Sequence, residues 1–275
     1  MKFKLFNYSI LLSGLVLFTA TSCKKEGCTD ANASNYSEKA KEDDGSCTYD
    51  AGSLPTGYDK FYNITDIYVD GGNIIIKTTD EPDHVSPFYP TGHALYAPYD
   101  GTNTNFSTEI SLMGQAEDPD IQAQNITFTV PVNAAENSSH EATGGGPIGV
   151  AINGVVFYSQ YNGAQQLLDD LEFDNTDQYS GHPSPTNGQY HYHIEPAWLT
   201  SQNGDDALIG VLLDGFFVYG PKCNGVTMTN SDLDAYHGHN SATSDFPDGV
   251  YHYHCTDDAP WINGDGYWGT PGTVN

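Results

Sequence analysis

The chain has 275 residues and sets 9 Lys+Arg against 36 Asp+Glu, a formal net charge of -27 at pH 7. All nine basic residues are Lys and only Lys222 lies beyond Lys77, which excludes nucleic acid as a partner and removes the Arg clamps that hold phosphate and carboxylate substrates. Cation binding fits this balance, and Gly 29 with Tyr 19 marks a folded, turn-dense, aromatic β protein rather than a disordered acidic tail.

Residues 1–22 read as a secretory signal, with Lys2 and Lys4, an apolar stretch from Leu5 to Ala20, and Thr21-Ser22 before Cys23. Polar interruptions make that stretch marginal as a spanning helix. A cysteine directly after small residues resembles a bacterial lipobox, although Ala20 stands where Leu is usual. Cys23 is therefore the expected lipidation site, and acyl chains are the expected contact with the membrane. The location that follows is exported and membrane-anchored, in the periplasm or at the outer membrane or cell surface. No protein partner is legible.

Without Cys23, four cysteines remain for an oxidising compartment, and three pairings are open; the most local is Cys28–Cys47 with Cys223–Cys255. Residues 23–55 read as a spacer carrying the Cys28/Cys47 module, which resembles a short disulfide module of Bacteroidetes surface proteins. Its Asp and Asn side chains are candidate calcium ligands, but their spacing is not that of an EF-hand loop, and a solvated tether is the simpler expectation.

The body, residues 56–275, reads as an all-β domain, a sandwich or barrel. Ile67 to Val69, Asp70-Gly71-Gly72 and Asn73 to Lys77 predict a hairpin, and Ile126 to Val132 a strand. Ala164 to Phe173 carries the one helical pattern. Internal similarity is the strongest signal. Ile148 to Tyr158 matches Ile209 to Tyr219 without a gap, each a hairpin closed by Asn153-Gly154 or Asp214-Gly215. Asp177 to His182 matches Asp234 to His239, and Gly188 to His193 matches Gly249 to His254. Two copies, 148–193 and 209–254, are expected to pack about a pseudo-twofold axis.

Each copy contributes three histidines: His182, His191 and His193 in the first, His239, His252 and His254 in the second. On a strand, residues i and i+2 share a face, so each Tyr-His-Tyr-His segment presents a pair of imidazoles on one side and a pair of phenols on the other. His-x-His on a strand gives a metal two fixed nitrogen ligands, with His182 or His239 as a third. Three imidazoles suit zinc or copper. Asp177 and Asp234 are candidate ligands, imidazole partners or bases, and Asp214 is a further candidate base unless it only shapes its turn. His237, which faces Ser180 in the alignment, and Asp83-His84, on a loop able to reach the site, are weaker candidates. Cys255, next to His254, is a candidate thiolate ligand or disulfide partner. Gly-x-Ser-x-Gly, phosphate-loop, Gly-x-Gly-x-x-Gly and His-Glu-x-x-His motifs are not found.

These blocks resemble a known family. Gly188 to His193 with His182 upstream, Ile209-Gly210, Asp214 to Gly220, Asp232-Leu233-Asp234, Pro247 to His254, Pro82-Asp83-His84 and Gln124 to Pro131 are together similar to the bacterial YHYH-domain proteins, over roughly residues 60–265. The resemblance implies an exported bacterial domain and no particular activity. Where the family tends to have Asp-Glu-Cys-Asn-Gly, this chain has Asp234-Ala235-Tyr236-His237-Gly238, and it keeps a His at 254 that relatives often replace. The second cluster is thus expected to be richer in ligands. The leading expectation is an exported lipoprotein that binds copper or zinc; the alternatives are a metal-dependent hydrolase and a structural surface protein in which the histidines only pack.

Overall fold

The computed structural model describes residues 25–50, 52–98, 120–168 and 175–275. The expected signal segment and Cys23 lie outside them. Near the N-terminus, Cys28 and Cys47 form the expected disulfide, and with Ala33 they make a small buried cluster of their own.

The expected first hairpin is β1 (Asp66–Asp70) with β2 (Asn73–Thr78), and the Thr-alternating segment is β3 (Ile126–Pro131). Their alternation is of the half-buried kind: Ile74, Ile76, Phe128 and Val130 are fully buried while the residues between them are not. With β14 (Thr273–Val274) these strands form a four-stranded sheet in the order β1-β2-β3-β14.

The duplicated region forms the second, larger sheet. The first copy supplies β4 (Pro147–Ala151), β5 (Val156–Tyr158), β6 (Gly181–Pro183) and β7 (Tyr190–Tyr192). The second supplies β8 (Leu208–Leu212), β9 (Phe217–Tyr219), β12 (Gly238–Ser241) and β13 (Val250–His254). Between β9 and β12 lies a small hairpin, β10 (Lys222–Cys223) with β11 (Val226–Thr227). The eight strands run β12-β13-β9-β8-β4-β5-β7-β6, so each copy lays its strands down in the same order outward from a shared centre. At that centre β4 and β8 are antiparallel and Val150 pairs with Val211, its own repeat equivalent. The pseudo-twofold axis therefore passes through this pair, perpendicular to the sheet. It carries each side chain to the same face at the opposite wing.

The two sheets share one core: Ile74, Ile76, Phe128 and Val130 cluster with Val150, Val156, Tyr192, Val211 and Tyr253. The hairpin turns of the large sheet seat on the small one. A Cβ at Gly154 would meet Asn63 O and Thr78 Oγ1, and one at Gly215 would meet Pro131 O; both glycines have positive φ. These turns need glycine for backbone conformation and for close approach at once. The architecture is all-β and sandwich-like, with an open large sheet and no barrel closure among the described residues.

Two expectations are not met among the described residues. The helix expected over Ala164 to Phe173 is a turn and an isolated bridge from Tyr161 to Leu167 as far as residue 168, where Asn162 Oδ1 accepts from Ala164 N and Gln166 N; residues 169–174 lie outside the described set. An α-helix forms instead at α1 (Ala197–Asn203), which starts after Pro196 and stops at Gly204, a pair of boundary residues that the leucine pattern at 164–173 lacks. The second failure is the Cys223–Cys255 disulfide: both cysteines are free thiols. Cys255 continues from β13 directly after His254, so its side chain points to the face opposite the imidazole and into the core, whereas Cys223 is on the imidazole side.

Gly181 and Gly238 lie under the rings of Tyr190 and Tyr251, where an added Cβ would sit 2.4 Å from Tyr190 Cζ or Tyr251 Oη. Gly181→Ala should therefore destabilise the domain by about 1–3 kcal/mol through forced displacement of the ring. Urea denaturation of the purified variant measures it, and a midpoint equal to wild type would mean the ring does not cross there.

Candidate metal centre

Alternation along β7 and β13 divides the four aromatic positions as the pattern predicts. Phenols and imidazoles go to opposite faces, and each set has its own network.

On the phenol face, Tyr190 Oη donates to Asp177 Oδ2 at 2.8 Å and Tyr251 Oη donates to Asp234 Oδ2 at 3.0 Å. Both carboxylates also close a turn: Asp177 Oδ1 accepts from Tyr179 N and Gly181 N, and Asp234 Oδ1 from Tyr236 N and Gly238 N. Tyr253 Oη donates to Asp214 Oδ2 at 2.6 Å, and that oxygen also accepts from Gly269 N at 2.9 Å. In the first copy Asn153 replaces Asp214, and its Nδ2 donates to Tyr192 Oη and to Asp83 Oδ1. His84 belongs to this face too, with Nε2 3.1 Å from Tyr192 Oη, and Trp198 Nε1 donates to Asp83 Oδ2. Of the five candidates, His84, Asp177, Asp214 and Asp234 are thus tyrosine partners and Asp83 accepts from Asn153 and Trp198, all away from the imidazole clusters. Burial pushes the Asp214 carboxyl up to about 6, against the opposing pull of its Tyr253 and backbone hydrogen bonds.

On the imidazole face, His182 pairs across the ladder with His191, and His239 with His252. His182, His191 and His193 bring one ring nitrogen each within 4.8 Å of one another, and all three are buried. His239, His252 and His254 do the same, and Cys223 Sγ joins them as a fourth donor atom. The centres are separate. Five interstrand spacings lie between β7 and β13, roughly 24 Å along the sheet.

The same backbone device orients the rings in both copies. His191 Nδ1 is 3.0 Å from Gln189 O and His193 Nδ1 is 2.7 Å from Ser159 O. His252 Nδ1 is 2.9 Å from Val250 O and His254 Nδ1 is 2.7 Å from Gly220 O, the repeat equivalents of those two carbonyls. A carbonyl only accepts, so each Nδ1 carries the proton and each Nε2 of a neutral ring presents a bare lone pair. Burial favours the neutral form: it draws His193 and His252 down to about 4 and His182 and His254 to about 3, and holds His191 well below its ordinary value. His252 Nε2 and His254 Nε2 nonetheless lie only 3.0 Å apart. Two lone pairs at that distance repel unless a cation sits between them. For comparison, two nitrogens bound to one tetrahedral zinc lie roughly 3.3 Å apart.

The walls differ. Tyr158 stacks on His191 with centroids 4.1 Å apart, closing over the first centre, while Tyr219 is tilted 60° to His252 at 4.8 Å. Tyr219, Cys223, His252 and His254 line a pocket of about 90 Å³, and His239 and Cys223 are only partly buried. His237 stands apart, with Nε2 3.1 Å from Asn230 Oδ1 and 3.0 Å from Thr256 Oγ1, so it adds nothing to the second centre. Cys255 is buried on the other side and its thiol is pushed up by burial, which removes it as a ligand. Cys223 is the candidate ligand that sequence reasoning missed. The signal was Asn224-Gly225, with φ of 50° and 80°, the turn that folds Lys222–Cys223 back beside the imidazoles. In the Cys28/Cys47 module the acidic groups act locally: Asp30 accepts from Asn32 N, Tyr49 Oη and Thr56, and Asp43 from Gly45 N.

A family model described as YHYH protein matches residues 127–229 and 224–265, together just over half of the chain. No curated protein and no solved structure matches it.

The Asp214 carboxyl gives a pH signature. Its folded pKa of about 6 lies above the ordinary 3.8, so between these values the folded chain holds a proton that the unfolded chain has released, and stability falls as pH rises through that window. The difference in unfolding free energy between wild type and Asp214→Asn, both measured with chelator present, should therefore change between about pH 4 and pH 6 and be flat above about pH 7. A difference curve that is flat throughout would show that the hydrogen bonds hold this carboxyl at its ordinary value.

Proposed function

The chain belongs to the YHYH protein family, and on that premise we propose that its β domain is a binding module for transition metal, taking one copper or zinc ion per repeat through His182, His191 and His193 and through His239, His252 and His254. One observation carries the reading: in both copies the Nδ1 protons are committed to equivalent backbone carbonyls, leaving converging Nε2 lone pairs, with the His252 and His254 nitrogens 3.0 Å apart. A ring N–H donated to a carbonyl is the usual outer support of a metal-ligating histidine. A purely packed His-Tyr ladder does not account for that spacing, since neither ring has a proton left to share. The hydrolytic alternative loses its bases, because Asp177, Asp214 and Asp234 are held by tyrosines on the other face.

The reading includes export and anchoring by lipid at Cys23, supported by the charged, apolar and small-residue order of residues 1–23. The acidic surface suits a module that gathers cations outside the cell.

Elemental analysis of protein purified without chelator should find about two equivalents of metal, and His191→Ala/His193→Ala and His252→Ala/His254→Ala should each lose about one. Wild-type protein that retains none through dialysis, and binds none on titration, returns the histidines to a packing role. Separately, Cys23→Ala should move the protein from the membrane fraction to the soluble fraction in the producing bacterium, and retention in the membrane would remove lipidation from the reading.

A further inference from the structure

The two centres are not equivalent, and the difference lies in one residue. At the position of Cys223 the first copy has Asn162, whose side-chain oxygen is occupied by two backbone N–H groups of its own loop. The first centre therefore offers three nitrogens. In the second copy the turn at Asn224-Gly225 holds Cys223 on a small hairpin, and Sγ lies within 4.8 Å of donor nitrogens from His239, His252 and His254. Ser241 Oγ, 3.2 Å from Sγ, and Asn224 Nδ2, 3.5 Å from it, are the hydrogen-bond partners that a thiolate sulfur would use.

We propose that Cys223 is the fourth ligand of the second centre, making it a site of three imidazole nitrogens and one thiolate sulfur that takes copper, while the all-imidazole first centre takes zinc. The proposal rests on the metal-binding reading above and adds the identity of the ions. Imidazole and thiolate each ligate both zinc and copper, but only the second centre adds the soft sulfur that raises the preference for Cu(I), while three imidazoles with an open position suffice for zinc. Cys255, the other free thiol, points to the opposite face and into the core, so no neighbouring sulfur among the described residues is placed to take Cys223 into an intramolecular disulfide. The second centre is also the reachable one. Its pocket shares Asp206, Lys222 and Ser244 with a larger open cleft lined by Lys60, Asp205 and Asn203, a path by which a small solute or a donor of copper can approach.

Two measurements on the full-length protein, depleted of metal and reloaded anaerobically, test this. Loading with Co(II) alone should give a thiolate-to-metal charge-transfer band in the near ultraviolet; Cys223→Ser should abolish it while Co(II) stoichiometry is kept, and His191→Ala/His193→Ala should leave it intact. Loading with equal amounts of Cu(I) and Zn(II) should then give a crossed pattern. His252→Ala/His254→Ala should lose about one equivalent of copper and keep zinc, and His191→Ala/His193→Ala should do the reverse. Far-ultraviolet circular dichroism identifies any variant that has not folded, and serine at 223 retains the polar contacts to Ser241 and Asn224. Cobalt bound at both centres without a band that depends on Cys223 would overturn the assignment of sulfur as a ligand and leave the metal-binding reading standing. Copper lost from the first-centre variant instead would overturn the division of metals. Failure to bind any of these ions would remove the metal-binding reading itself.

Discussion

Two neutral imidazoles whose Nδ1 protons are already donated to backbone carbonyls have nothing left with which to hydrogen-bond each other. The site chemistry of this protein depends on that constraint. It fixes the tautomer of His191, His193, His252 and His254 without any side-chain partner, because the accepting groups are Gln189 O, Ser159 O, Val250 O and Gly220 O. Main-chain acceptors survive sequence change. Ser159 and Gly220 are different residues, as are Gln189 and Val250, yet the carbonyls stay in place because β5 pairs with β7 and β9 with β13 in the same parallel register. A pair of nitrogens set 3.0 Å apart by such rigid parts is preorganised, and a bound cation would relieve a repulsion that the fold imposes.

The duplication then decides how many centres there are and how they differ. An axis through the Val150–Val211 pair puts the two Tyr-His-Tyr-His strands on opposite wings of one sheet, so the clusters cannot merge into a shared site. Separation also frees each copy to diverge. Asn153 and Asp214 fill the same turn and meet the equivalent tyrosine with opposite hydrogen-bond direction, Asn162 and Cys223 stand at the same position as loop former and candidate ligand, and Ser180 and His237 share an unusual positive φ of 71° and 74° with unrelated side chains. The shared backbone constrains the three histidines and the tyrosines, and the remaining positions are where the copies acquire separate chemistry.

Much of this is legible in the sequence because it depends on local periodicity. The Asn-Gly and Asp-Gly hairpins, the alternation of β2 and β3, and the separation of phenols from imidazoles on β7 and β13 all follow from a period of two and from turn residues tolerant of positive φ. What is not legible depends on pairing at a distance. Proximity of Asp177 and Asp234 to a histidine in sequence suggests catalysis, whereas Gly181 and Gly238 clear a path for Tyr190 and Tyr251 to reach those carboxylates across the ladder. The motif around His84 suggests a place beside the imidazoles, but this residue hydrogen-bonds Tyr192 from the segment that covers the phenol face.

The cysteines show the same lesson from the other side. Adjacency of His254 and Cys255 suggests a shared site, but neighbours on an extended strand face opposite ways, and the rule that groups His252 with His254 already excludes Cys255. Applied fully, that rule leaves Cys255 to the core and asks which other thiol can return to the imidazole face. Asn224-Gly225 answers it, since a tight turn after Cys223 returns the chain within two residues. The second centre is therefore built from three separate elements, the β10–β11 hairpin, β12 and β13, whereas the first is built from β6, β7 and the residue after it. A cluster assembled from more elements depends on the placement of each, and the second one owes its sulfur to the turn of one small hairpin. The second cluster accordingly opens on a pocket lined by Cys223, His252 and His254, whereas in the first Tyr158 stacks over His191.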